Sequence, residues 1–151
     1  MLLWGAPAAG KTHLKVGDSA PAFTKLRSTA GGDPVSLADF KGKVVAVFFG
    51  YTHCPEVCPT TLYEMSSTLD RLGAAAKDFR VFFITVDPER DTAALLADYL
   101  SNFDPRIEGL VPTPAELQSL ASNFRIYYAR QPDSGGGYTM DHTAMVFLMG
   151  A

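Results

Sequence analysis

The chain has 151 residues, enough for one domain with its own core and too few for two. Apolar residues make up 47% and charged residues 19%, a globular composition too apolar for a disordered chain. Lys and Arg number 13 against 16 Asp and Glu, a net charge of -3 that disfavours a nucleic-acid binder held by phosphate contacts.

At the start, Met1-Leu2-Leu3-Trp4 followed by Ala6-Pro7-Ala8 has the small-residue look of a signal-peptide cleavage region. The basic residues and the full apolar segment of such a signal are missing. Residues 1–15 are expected to be a flexible N-terminal segment, and 16–151 the folded domain. Within that segment, Gly5-Ala6-Pro7-Ala8-Ala9-Gly10-Lys11-Thr12 matches the phosphate-loop pattern letter for letter. The pattern has chemistry only between a buried strand and a helix whose N-terminus faces the phosphates. Too few residues precede Gly5 for a central strand, and Gly17 and Pro21 interrupt any helix begun at Lys11. No nucleotide site is expected. Nor does any stretch reach the roughly 20 apolar residues that cross a bilayer.

The run Val44 to Phe49 predicts a strand covered on both faces. Thr60 to Leu72 predicts a helix, with Leu62, Met65, Leu69 and Leu72 on one side. Arg80 to Val86 is a second buried strand, after which Asp91 can cap a helix to about Asn102 with Leu95, Leu96, Tyr99 and Leu100 inward. Thr113-Pro114-Ala115-Glu116 is a capping box opening a helix to about Phe124. Ile126 to Ala129 is a short strand, Gln131 to Met140 a polar, glycine-rich loop, and Thr143 to Met149 the last strand, opened by Asp141-His142-Thr143. That strand stops within two residues of the chain's end, which predicts a domain truncated at its C-terminus. Strand, helix, strand implies a right-handed parallel crossover, and the late strands suit antiparallel pairing. The fold class expected is α/β and thioredoxin-like, a mixed parallel and antiparallel central sheet flanked by helices.

The chemistry concentrates in Tyr51-Thr52-His53-Cys54-Pro55-Glu56-Val57-Cys58-Pro59, at the carboxyl end of the first buried strand. Reactive groups of open α/β sheets gather there. Pro59 fits the first turn of a helix, so Cys58 lies at a helix N-terminus, where the dipole favours thiolate. Two sulfurs four residues apart can oxidise together or grip one ion. Dithiol oxidoreductases mostly space them by two residues, and here there are three. The peroxiredoxin pattern P-x-x-x-T-x-x-C fails when counted back from either cysteine. If the last strand runs antiparallel to Val44–Phe49, His142 arrives at the same sheet end. Two thiolates and an imidazole form a soft, low-coordinate set suited to Cu(I), or to Zn(II) with an open fourth position. His53 is a further candidate for metal or proton handling. Asp87 and Asp141 are candidates for orienting groups, and Met140 for a soft sulfur.

Five motifs in order across 16–149 carry a family resemblance. They are Val16-Gly17-Asp18 with Pro21 and Phe23, Asp39-Phe40-Lys41-Gly42-Lys43, the Tyr51–Pro59 segment, Thr85-Val86-Asp87-Pro88-Glu89-Arg90-Asp91, and Asp141-His142-Thr143. In these the chain resembles the Sco/SenC family of copper chaperones for cytochrome c oxidase assembly. The resemblance implies that Cys54, Cys58 and His142 are copper ligands, for Cu(I) and also Cu(II). It implies delivery to the binuclear copper centre of cytochrome c oxidase subunit II, with a thioredoxin-like reductant as second partner. It further implies a place on the periplasmic side of a bacterial inner membrane, or in the mitochondrial intermembrane space, through a membrane anchor absent from this chain. The alternative use of the same dithiol is a thiol-disulfide oxidoreductase working through Cys54 and Cys58.

Overall fold

The computed structural model describes residues 14–150. The phosphate-loop match at 5–12 and nearly all of the expected flexible segment at 1–15 lie outside them. Three strands form the parallel centre of a five-stranded sheet: β2 (Val44–Gly50), β3 (Phe79–Thr85) and β4 (Ile107–Val111). The two-residue β1 (Arg27–Ser28) and β7 (Val146–Met149) close its edges antiparallel, giving the order β1-β4-β3-β2-β7. A separate two-stranded hairpin pairs β5 (Tyr128–Pro132) with β6 (Tyr138–His142). Helices α1 (Val57–Leu72), α2 (Ala93–Leu100) and α3 (Pro114–Phe124) complete the fold. This is the expected thioredoxin-like arrangement of a mixed sheet flanked by helices.

The continuous apolar runs of β2 and β3 are explained by cover on both faces. Phe49 meets Phe124 of α3, with ring centroids 5.2 Å apart, while Phe83 meets Tyr99 of α2 at 6.2 Å. Phe48, Phe49, Phe82 and Phe83 are all fully buried, each contributing roughly 1.5–3 kcal/mol by leaving water. The capping box of α3 forms as its sequence predicts: the Thr113 hydroxyl accepts from the Glu116 amide, and the Glu116 carboxylate from the Thr113 amide.

Several boundaries differ from expectation. Helix α1 opens at Val57 rather than Thr60, so Cys58 stands within its first turn. Thr92, not Asp91, caps α2, and the helix ends at Leu100. Leu95 and Leu72 are exposed, because each helix buries a narrower stripe than its apolar count suggests. Strand β4 carries Glu108 and Gly109, which mask a strand pattern. Gly109 is closely packed there: a Cβ would come within 2.7 Å of the Thr29 methyl and 2.9 Å of Leu96 and Leu100, which would have to shift. The stretch 131–140 is not one loop: strand pairing runs through Pro132 and resumes at Tyr138. His142 therefore closes β6 instead of opening the last strand, which begins only at Val146.

Candidate metal centre

The carboxyl ends of β2 and β3 lie side by side, Gly50 opposite Thr85, and both following segments turn into one region. After β2, the chain crosses Tyr51–Glu56 and enters α1. Gly50 leaves its Cβ space to the site: a Cβ there would lie 2.7 Å from Cys58 Sγ and 2.8 Å from the Phe83 ring. Only glycine leaves room for that sulfur. Strand β7 runs antiparallel to β2 with Val146 opposite Phe48, so the residues preceding it reach the same end.

The three sequence-nominated residues meet. Their ligand atoms, Cys54 Sγ, Cys58 Sγ and an imidazole nitrogen of His142, all lie within 4.8 Å of one another. Cys58 is fully buried, Cys54 is 9% exposed, and His142 is half-buried. His142 Nδ1 is 3.1 Å from the Thr143 carbonyl. A carbonyl only accepts, so the network assigns the proton to Nδ1 and leaves the Nε2 lone pair, 3.9 Å from Cys58 Sγ, as the free donor to a metal. The ring of Tyr51 stands edge-on to the imidazole at 5.6 Å and 88°, limiting its swing. Thr143 exchanges two hydrogen bonds with Tyr127 and is buried, which pins the backbone beside the histidine.

The two thiols are chemically unequal. Cys54 receives hydrogen bonds from the Cys58 thiol and from the backbone N–H groups of Cys58 and Glu56, which outweigh its burial. Its pKa is lowered to about 4. Cys58 holds the shared proton deep in the fold, and both that hydrogen bond and burial raise its pKa. The pair thus loses its first proton far below the ordinary thiol range and its second far above it. Above the Cys54 pKa the reactive thiolate fraction is already complete. The alkylation rate of Cys54 in the reduced, metal-free protein should therefore stay flat from pH 8 to pH 5 and fall only on further acidification. A rate dropping tenfold per pH unit through that range would contradict the assignment.

Other candidates take different places. His53 is exposed, its Nδ1 3.1 Å from the Thr52 hydroxyl, and it is not in the cluster. Asp87 is buried but serves Arg90 and Tyr138. Met140 is buried and pairs with Arg130 across the hairpin, where Asp141 faces Ala129; neither is in the cluster. Sequence reading missed what Asp91 does. Fully buried, its carboxylate accepts from the Thr52 amide (3.0 Å), the Thr52 hydroxyl (2.6 Å) and the Thr85 hydroxyl (2.6 Å). It fastens the loop carrying Cys54 to the end of β3.

Fold and site together define a thioredoxin-like protein whose dithiol and distal histidine can close on one soft metal ion. The SCO1/SenC family profile matches residues 18–151, and the chain belongs to that family. The chain is 47% identical to Bradyrhizobium japonicum ScoI, whose structure has copper bound; 85% of this chain and 80% of that one superpose with a TM-score of 0.79. It is 34% identical to the mitochondrial SCO1 homolog of Homo sapiens, over 97% of this chain and 54% of that protein. Similarity also extends to BsSco, described as a member of the Sco family of cytochrome c oxidase assembly proteins with a disulfide switch. That match has 27% identity, a TM-score of 0.58, and covers 69% of this chain and 62% of that one. The chain spans about half the length of the curated relatives it matches, 41% and 54% for two of them. Among the described residues no helix is long and apolar enough to cross a membrane.

Proposed function

We propose that the protein is a copper metallochaperone that carries one Cu(I) as cargo on Cys54, Cys58 and His142. The observation that carries this reading is the meeting of two sulfurs and one imidazole nitrogen within 4.8 Å at the carboxyl end of the sheet. Soft thiolates select Cu(I), and a low-coordinate set leaves the metal open to an incoming ligand. Delivery to the binuclear copper centre of cytochrome c oxidase subunit II would proceed by ligand exchange, sulfur by sulfur, with no substrate turned over. The copper-bound relative and the family's link to oxidase assembly support this destination. Such a target places the protein on the periplasmic face of a bacterial inner membrane or in the mitochondrial intermembrane space. The lowered pKa of Cys54 supports a second use of the same pair, thiol-disulfide exchange with the target's cysteines.

Titrating the reduced protein with Cu(I) against a competing chelator tests the reading and separates the two uses. One copper per chain is expected. His142→Ala should weaken binding by roughly tenfold to a hundredfold while disulfide exchange stays near the wild-type rate. Unchanged copper affinity in that variant would leave the oxidoreductase reading standing alone.

A further inference from the structure

The histidine arm is attached to the rest of the domain in an unusual way. The β5–β6 hairpin is a sheet of its own, with no ladder to the main sheet. Two-stranded hairpins are marginal in isolation, so the placement of His142 depends on what fixes the hairpin from outside. Tyr138, Met140 and His142 alternate onto one face of β6, and whatever holds Tyr138 aims His142 about 13 Å further along the same strand.

Tyr138 is held from four directions. Its hydroxyl donates to the buried carboxylate of Asp87 at 2.8 Å, and its carbonyl accepts from Arg90 Nη1 at 2.9 Å. Its ring lies between two guanidinium groups, Arg90 at 3.7 Å and Arg130 at 4.1 Å from the centroid. Arg90 Nε in turn donates to Asp87, and Arg130 pairs with Glu89 at 2.6 Å. Asp87, Glu89 and Arg90 all belong to the 85–91 turn, whose backbone is stiffened by the Arg90 and Asp91 amides donating to the Asp87 carbonyl. The other end of this turn is Asp91, which holds the Cys54 loop through Thr52. One seven-residue turn thus grips both halves of the metal centre.

We infer that the 85–91 turn is the positioning element that sets the separation of dithiol and imidazole, with Arg90 as the residue that holds the histidine arm. The inference rests on the reading of Cys54, Cys58 and His142 as one metal centre. A part-buried Asp87–Arg90 pair has a stability role of its own, but stability alone does not require that its guanidinium also span the carbonyl and ring of a strand ending in a ligand. Positioning predicts that Arg90 matters to the metal only through His142.

A double-mutant cycle decides this. Arg90→Met should lower Cu(I) affinity roughly tenfold in the otherwise wild-type protein and leave it unchanged on the His142→Ala background. In the metal-free protein the same substitution should speed amide exchange at residues 138–142 and leave that of α1 unaltered. Tyr138→Phe, which removes only the hydroxyl held by Asp87, should move both readouts the same way by a smaller factor, and it serves if Arg90→Met does not fold. Equal losses on both backgrounds, or unaltered exchange in β6, would overturn the inference. Failure of the wild-type protein to take up copper would instead defeat the proposed function, and the exchange measurement alone would then decide the positioning role.

Discussion

Cys54→Ser and Cys58→Ser should each lower Cu(I) affinity by on the order of a thousandfold or more, well beyond the effect of losing His142. A serine hydroxyl is nearly isosteric with a thiol, but its oxygen is hard and stays protonated at neutral pH. The substitution therefore removes a ligand without opening the fold. Cys58 is the more demanding position structurally, because it is fully buried and its sulfur sits against the space left by Gly50. Some loss of stability is expected for Cys58→Ser and little for Cys54→Ser at the mouth of the site, so the two variants separate ligand loss from misfolding. Competition titration beside a thermal melt supplies both readouts. Affinity within tenfold of wild type in either variant, with the fold intact, would remove that sulfur from the ligand set.

What could be read from the sequence, and what could not, follows from the range of the interactions. Cys54 and Cys58 are local: a four-residue spacing at a strand end and helix start needs no knowledge of the rest of the chain. His142 could be nominated because an antiparallel last strand must begin at the end where a parallel β2 stops. His142 closes β6 and does not open that strand, yet it reaches the same end of the sheet, because the residues that follow it lead into β7. Strand β4 was invisible because its burial comes from packing against Thr29, Leu96 and Leu100, which tolerates a glycine where a propensity count sees a breaker. The glycines at 135–137 suggested a loop far longer than the actual tip, because the flanking residues of a solvated hairpin are polar and pair through their backbones. The fastening of the centre was beyond reach for another reason. Asp91 meets Thr52 across 39 residues and Asp87 meets Tyr138 across 51, and nothing in an isolated Asp or Tyr announces a partner so far away.

Oxidising Cys54 and Cys58 to a disulfide should abolish tight Cu(I) binding, and reduction should restore it. In the reduced protein the pair shares a single proton, and metal uptake needs both sulfurs as thiolates. A disulfide removes two electrons and that proton, and leaves sulfurs that are poor donors even to a soft ion. Loading in an oxidising compartment would then depend on a thioredoxin-like reductant. The geometry also says which sulfur that reductant attacks. The hydrogen bond that sets the two thiols apart exists only in the reduced pair, so leaving-group acidity does not choose between the sulfurs of the disulfide. Access does choose, since Cys58 is fully buried in the first turn of α1 whereas Cys54 is 9% exposed. In-line approach along the disulfide axis is a geometric precondition for exchange, and it is met first at the less buried sulfur. Attack should therefore fall on Cys54. A reductant lacking its own resolving cysteine should be trapped as a mixed disulfide on Cys54, leaving Cys58 free to alkylate after denaturation. Trapping on Cys58, or Cu(I) bound as tightly by the oxidised protein as by the reduced one, would show that burial in the reduced fold does not govern access to the disulfide or that the metal is held elsewhere.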